Sequence, residues 1–417
     1  MDRKIQTSLI TKTLAVAITA AMASTVQAAS TEQQQIQELR QEVQALKALI
    51  QQQQQVQQQQ QVQIQQVQAQ PAPAAKSASP FSLKSKGGAE VNLYGFVRGD
   101  AAYQIEGGNG IFNRIHAVSL GDDNNATEDR FDSTATTTRL GLDFKGPVAG
   151  KDVGGKIEID FRGGDKNDTV RIRHAYLTTD NWLLGQTTSS FLSGETTPEM
   201  LDFNSPLGIG TYRTPQVRYS DKINADTTYF VGLEKGHDDN RLPAATAKVA
   251  HKFAEGAGTL TGRALVQEVR ARDVADETDF GWGLAAGVNF KPTETLTLNA
   301  DYSHVTGDDK FILYTNGNKR YSVDGNDIDL KEFDAFTLGA TLKITPKLRS
   351  TLGYGAVFFD DAVGEENDEL QQGWLNVMYN PVQPITLGAE YVYGERETAD
   401  GQTGKDNRIG VMARYNF

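Results

Sequence analysis

Seven arginines share one kind of position. Arg98, Arg139, Arg162, Arg171, Arg173, Arg218 and Arg263 lie on the polar side of segments whose apolar residues recur every second position. That spacing places alternate side chains on opposite faces of an extended chain. A guanidinium stays charged at any relevant pH, and its planar fork matches a carboxylate with two parallel hydrogen bonds. Arginines gathered on one polar face would therefore attract small anions. The bland alternative is neutralisation by acids on the same faces, for which Asp100, Asp143, Glu158 and Asp160 are available. Other chemistry finds little footing. His116, His174, His237, His251 and His304 are scattered without metal-ligand spacing, so no metal site is expected. The stretch Asp324-Gly-Asn-Asp-Ile-Asp329 lacks the loop glycine position and closing glutamate of a calcium hand and reads as an exposed acidic loop. Neither a Gly-x-Ser-x-Gly element nor a phosphate loop occurs, and no cofactor is expected.

The elements that must hold these arginines are strands. Ile157, Ile159 and Phe161 alternate with Lys156, Glu158, Asp160 and Arg162, and Ile385, Leu387, Ala389, Tyr391 and Tyr393 repeat the pattern with less charge. Sixteen such segments can be read, near 91–103, 134–146, 153–163, 169–179, 181–187, 215–221, 225–234, 245–254, 258–271, 279–291, 294–305, 331–343, 346–359, 369–380, 385–396 and 406–417. Short connections rich in turn formers, such as 291–293 and 345–347, alternate with long acidic ones, such as 104–133, 306–330, 360–368 and 397–405. A soluble sandwich has no reason to sort its loops this way, whereas a membrane barrel puts short turns at the periplasm and long loops outside. Strands cross hydrocarbon only when every edge is paired, which requires closure with apolar residues outward. The expected fold is therefore all-β: a 16-stranded antiparallel transmembrane β-barrel over 90–417, with a wet lumen and a polar inner face. Aromatic residues of the apolar face, among them Trp182, Tyr229, Trp282, Tyr302, Tyr379, Tyr391, Tyr393, Tyr415 and Phe417, read as interfacial girdles.

What precedes the barrel gives its destination. Residues 1–29 carry Arg3 and Lys4, an apolar run at Leu14–Ile18 and small residues before the polar sequence, which reads as a secretory signal peptide. Its removal changes the net charge from −12 to about −14, so nucleic acid is an improbable partner. Cysteine is absent, so disulfides play no part. Within 30–70, Ile36, Leu39, Val43, Leu46 and Ile50 follow the spacing of an α-helical coiled coil placed in the periplasm, with a disordered glutamine-rich tether as the competing reading. Residues 71–89 read as a linker.

A resemblance adds to this. VNLYGFVRGDAAY and TTRLGLDFKGP resemble the first strands of many Gram-negative porins. RIRHAYLTTDNWLLGQT, PEMLDFNSP and PQVRYSDKI are similar to the trimeric DcaP-type porins for dicarboxylates. The final strand RIGVMARYNF resembles the aromatic-ended signature that outer-membrane barrels present to the barrel assembly machinery. The resemblance implies an outer-membrane homotrimer, each barrel narrowed by a third loop, here roughly Thr188–Thr214, folded inside. It also implies that Arg139, Arg171 and Arg218 line the constriction, with the loop acids Glu195, Glu199 and Asp202 opposite. The function expected is passive diffusion of small anions, dicarboxylates among them, in contact with lipid and lipopolysaccharide, which divalent cations could bridge to the acidic loop. Two other readings remain. In one, the coiled coil makes the barrel a structural tether to the cell wall. In the other, His174 and His304, on outward faces, serve a membrane-embedded enzyme, for which no serine stands beside either.

Overall fold

A computed structural model describes residues 82–84, 88–108, 110–121, 127–204, 206–274, 276–313 and 320–417. The expected signal peptide and coiled coil lie outside the described residues. Among those residues, sixteen antiparallel strands close into a barrel. They are β1 (Glu90–Glu106), β2 (Arg130–Thr134 continued by Arg139–Val148), β3 (Lys151–Gly163), β4 (Thr169–Thr179), β5 (Trp182–Thr188), β6 (Arg213–Lys222), β7 (Thr227–Glu234) and β8 (Ala244–Phe253). The second half comprises β9 (Gly258–Ala271), β10 (Glu277–Phe290), β11 (Leu296–Thr306), β12 (Glu332–Thr345), β13 (Leu348–Asp360), β14 (Asn367–Tyr379), β15 (Ile385–Thr398) and β16 (Thr403–Asn416).

Each strand pairs with its sequence neighbours, and β16 closes on β1 from Phe96 opposite Asn416 to Glu106 opposite Asn407. Phe417 prolongs that seam: its N–H donates to the Gly95 carbonyl at 3.1 Å and its carbonyl accepts from Gly95 N–H at 3.2 Å. Beyond it, within the expected linker, Ser82–Lys84 pairs with Asn92–Glu90 of β1.

Alternation sorts the two faces. Leu184, Val217, Leu298, Leu338, Leu352 and Leu375 point outward and are exposed. Aromatic residues border this belt. Trp182 meets Tyr219 edge-on at 5.0 Å and Phe253 stacks on Phe290 at 5.6 Å near the short turns. Trp282 packs on His304 at 4.9 Å and Phe336 on Phe358 at 6.1 Å near the long loops. The connections 149–150, 180–181, 223–226, 254–257, 291–295, 346–347 and 380–384 form the short-turn end.

Three departures from simple alternation affect the lumen. First, β4 carries a bulge against β3: Glu158 faces His174 while the next residue, Ile159, faces Ile172. The extra residue turns Arg173 and His174 to the same side. His174, expected outside, lies inside, with Nδ1 2.9 Å from Thr187 Oγ1. Second, the upper inner wall is not polar throughout. Leu265, Val305, Phe333, Val357, Phe359 and Leu370 face inward and are buried with Phe191, Leu192 and Leu207 of loop 189–212 and Phe311 and Ile312 of a one-turn helix, Lys310–Leu313. These apolar residues form a core under loops, not a wet wall. Third, the acidic stretch near Asp324 forms a small hairpin, Tyr321–Asp324 with Asp327–Leu330, inside loop 307–331.

Candidate functional site

Loop 3, residues 189–212, follows the inner wall, and a chain of polar contacts holds it there. Ser190 N–H donates to Glu234 at 2.8 Å. Thr196 donates its hydroxyl to Asp301 at 2.6 Å. The backbone carbonyl of Glu199 accepts from Trp374 Nε1 at 3.0 Å. Leu201 and Asp202 donate their backbone N–H groups to the Glu390 carboxylate at 2.6 and 2.8 Å. Leu207 N–H donates to Gln372 at 3.0 Å. A segment of irregular backbone can be buried only if its polar groups find partners, and here the inward side chains of the wall supply them.

The wall also makes room. A Cβ at Gly339 would lie 2.3 Å from Pro198 Cβ, and one at Gly355 would lie 2.2 Å from the Leu207 carbonyl oxygen. Missing side chains on inward positions thus mark the track on which the loop rests.

At the tip of this track lies a cavity of about 170 Å³. Arg98, Arg114, Arg139, Arg171, Arg173, Arg213 and Arg414 line it, with Phe96, Phe203, Asn204, Thr211 and a single carboxylate, Asp202. Strand register explains the convergence. Arg98 stands opposite Arg414, Phe96 opposite Arg139, Arg139 opposite Asp160, and Asp160 opposite Arg171. The bulge brings in Arg173. Three guanidiniums surround the Phe203 ring, with Arg98, Arg139 and Arg173 at 5.4, 5.7 and 5.7 Å from its centroid. Arg139 and Arg414 flank Phe96 at 5.1 and 5.5 Å.

Acids of the wall hold several of these arginines from behind. Arg98 pairs with Asp100 at 2.6 Å, Arg171 with Asp160 at 2.7 Å, and Arg173 with Glu158 and Asp160 at 2.8 and 2.9 Å. Arg139 reaches Glu158 at 3.4 Å. The pairing foreseen as the bland alternative is therefore present, yet the seven lining arginines outnumber Asp100, Glu158, Asp160 and Asp202 together. Arg414 forms no ion pair with a described residue.

The remaining expected residues lie elsewhere. Arg162 is buried beside the cavity with its guanidinium 5.1 Å from the Phe112 ring. Arg218 sits over Phe230 at 5.5 Å, outside the cavity lining. Arg263 is buried beneath loop 3 and donates to Asp301 at 2.6 Å, so its charge is spent on holding the carboxylate that receives Thr196. The loop acids are not free across open water. Glu195 pairs with Lys248 at 2.7 Å, Glu199 binds Arg349 through both oxygens at 2.7 Å, and Asp202 pairs with the buried Arg408. Each fastens loop 3 to the wall, and Asp202 also faces the cavity.

Three lining arginines were not singled out from sequence. Arg414 does stand on the polar face of the last strand with Arg408, so its alternation was a usable signal. Arg114 and Arg213 come from a loop and a strand end, where no period operates.

The Glu195 staple carries a pH prediction. Burial opposes ionisation of its carboxyl, but the Lys248 ammonium and its hydrogen bond more than offset this and hold the group below the usual carboxylate range. A depressed folded value means that the stabilisation is present above the unfolded pKa, about 4.3, and is lost as pH falls through the folded value. We predict that loop-derived current noise rises on acidification below the usual carboxylate range. Glu195→Gln should show that noise at neutral pH and little further change; equal pH dependence in both proteins would exclude the staple as the source.

Comparison with known proteins agrees with this architecture. A family profile described as DcaP outer membrane protein matches residues 15–417. No curated protein matches. The crystal structure of the outer membrane channel DcaP of Acinetobacter baumannii is similar at 48% identity and a TM-score of 0.75, covering 80% of this chain and 99% of that one. An anion-selective porin from Comamonas acidovorans shares the fold at 13% identity and a TM-score of 0.55, covering 79% of this chain and 100% of its own. OmpT of Vibrio cholerae in a trimer form does so at 15% identity and 0.53, over 79% and 99%. The chain therefore belongs to the DcaP outer membrane protein family, and is an outer-membrane porin.

Proposed function

We propose that this porin passes small hydrophilic anions, dicarboxylates among them, by passive diffusion through a constriction formed where loop 3 meets the arginine-lined wall. One observation carries the reading: seven arginines and one carboxylate line a single cavity. Fixed cations in a narrow polar path lower the barrier for anions and raise it for cations. Net acidity does not oppose this, because the local field, not the total charge, acts on a permeating ion. A two-carboxylate solute could exchange waters for guanidinium forks at both ends. Paired acids behind the arginines keep each site from binding too tightly to release its solute.

The assembly we infer is a homotrimer, supported by the trimer form printed for the Vibrio cholerae relative and by the family resemblance. Its partners are outer-membrane lipid, lipopolysaccharide and the barrel assembly machinery, to which the Phe417 strand is presented. We infer a coiled coil in residues 30–70 from its heptad spacing, and a periplasmic position from its place between the expected signal peptide and the barrel.

Reversal potentials in planar bilayers under a tenfold salt gradient test the reading. A potential on the anion side, with succinate reducing chloride current more than a neutral solute of similar size, is the expected result. A potential at or beyond zero on the cation side would remove the anion preference.

A further inference from the structure

Loop 1 joins β1 to β2 over 107–129; its described residues 110–121 also enter the lumen, and nothing in the function proposed above requires it. Ile111, Phe112, Ile115 and Val118 are buried there. The Phe112 and Phe203 rings lie 6.3 Å apart, and Asn204 Nδ2 donates to the Phe112 carbonyl at 2.8 Å. Inward glycines seat this loop as others seat loop 3. A Cβ at Gly404 would lie 2.2 Å from the Ser119 carbonyl oxygen, and one at Gly394 would lie 2.3 Å from Ile115 Cδ1.

Between the two loops stands Arg408 of β16, itself 2% exposed. One terminal nitrogen of its guanidinium donates to the Ile111 carbonyl of loop 1 at 2.7 Å. The other donates to Asp202 of loop 3. The guanidinium also lies 6.0 Å from the Phe112 ring centroid. Around it, Asp406 accepts from Gln104 at 2.7 Å and from Asn113 of loop 1 at 3.2 Å. Arg98 donates to the Leu201 carbonyl at 2.6 Å on the loop 3 side.

We propose that the constriction is a two-loop body and that Arg408 is its positioning residue, clamping loop 1 to loop 3. A planar fork places its donors on separate nitrogens in one rigid geometry and so fixes two segments relative to each other, whereas an ammonium directs all its donors from a single rotatable nitrogen. The clamp sets how far Phe203 and Asp202 project towards the cavity. The word constriction rests on the function proposed above; the coupling of the loops does not.

Because the chain contains no cysteine, single thiols report local opening without background. The experiment places Ile111→Cys, Leu201→Cys and Ile312→Cys separately in the full-length porin, each with and without Arg408→Gln. The rate of modification by a small uncharged maleimide is then read on folded barrels. Arg408→Gln is expected to speed labelling at the loop 1 and loop 3 positions together, by about fivefold or more, and to leave Ile312→Cys, in the one-turn helix of loop 307–331, slow.

Acceleration at only one of the first two positions, or at neither, overturns the coupling. Acceleration at all three shows general loosening and overturns it as well. If Arg408→Gln yields no folded barrel, Arg408→Lys keeps the charge, loses the fork, and is judged by the same outcomes. Thiol rates do not depend on which ions the channel prefers, so a cation-selective trace would remove the proposed function and leave this test standing.

Discussion

Alanine at Arg139 and Arg414 together is expected to lower the anion-to-cation permeability ratio by about tenfold, read as a shift of reversal potential towards the cation side. These two residues flank Phe96 at the cavity wall. Their removal strands no carboxylate, because Glu158 keeps Arg173 at 2.8 Å and Arg414 forms no ion pair with a described residue. A unit charge about 6 Å from a permeating ion contributes about 3 kcal/mol at an effective dielectric of 20. Lumenal water and mobile ions reduce this to about 1 kcal/mol or less for each charge, so two suffice for a factor of about ten. Arg263→Ala is the matched contrast. It breaks an ion pair whose side chains are 0% and 1% exposed, which costs about 3–5 kcal/mol when one partner is left alone. It should lower the barrel's melting temperature while leaving selectivity close to that of the native protein. If the double variant keeps its native reversal potential, the arginines merely fill and solvate the lumen.

Filling the glycine track should have the second large effect. Gly339→Leu would drive side-chain atoms into Pro198, and Gly355→Leu into the backbone of Leu207. Neither contact can yield at a flexible tip, so loop 3 itself must lift. Overpacking of this kind costs about 1–3 kcal/mol, comparable with a few of the hydrogen bonds that fasten the loop. We predict that single-channel conductance falls by about twofold with the barrel still assembled, as the loop is pushed from the wall towards the lumen axis. Gly262→Leu, where a Cβ meets nothing within 4 Å, serves as the control. Native conductance in both filled variants would mean that loop 3 does not narrow the conducting path.

Most of the barrel was legible because a strand's period is local. The segments 169–179 and 258–271 coincide with β4 and β9, and the remaining strands differ from their expected bounds by a few residues. The break in β2 at 135–138 was not legible, since it depends on β1 exchanging one partner segment for another. For the site, alternation told which side a residue faces and nothing about what covers it. Arg98, Arg139, Arg171 and Arg173 reach the cavity, whereas Arg263 faces the same lumen yet lies beneath loop 3. The bulge that turns His174 inward depends on partner register and leaves no trace in the spacing of β4 itself. Inward Phe333 and Phe359 broke the polar pattern of their strands, which in hindsight signalled a loop packed over them.

The smallness of the arginine cavity, about 170 Å³, has a consequence for its dependence on electrolyte. Mobile ions screen fixed charges over about 8 Å at 0.15 M and about 3 Å at 1 M. At the lower concentration the screening length exceeds the reach of so confined a space. If the arginines select by charge as proposed, that discrimination belongs to dilute surroundings and fades in concentrated brine, where the same opening would sort solutes by girth alone.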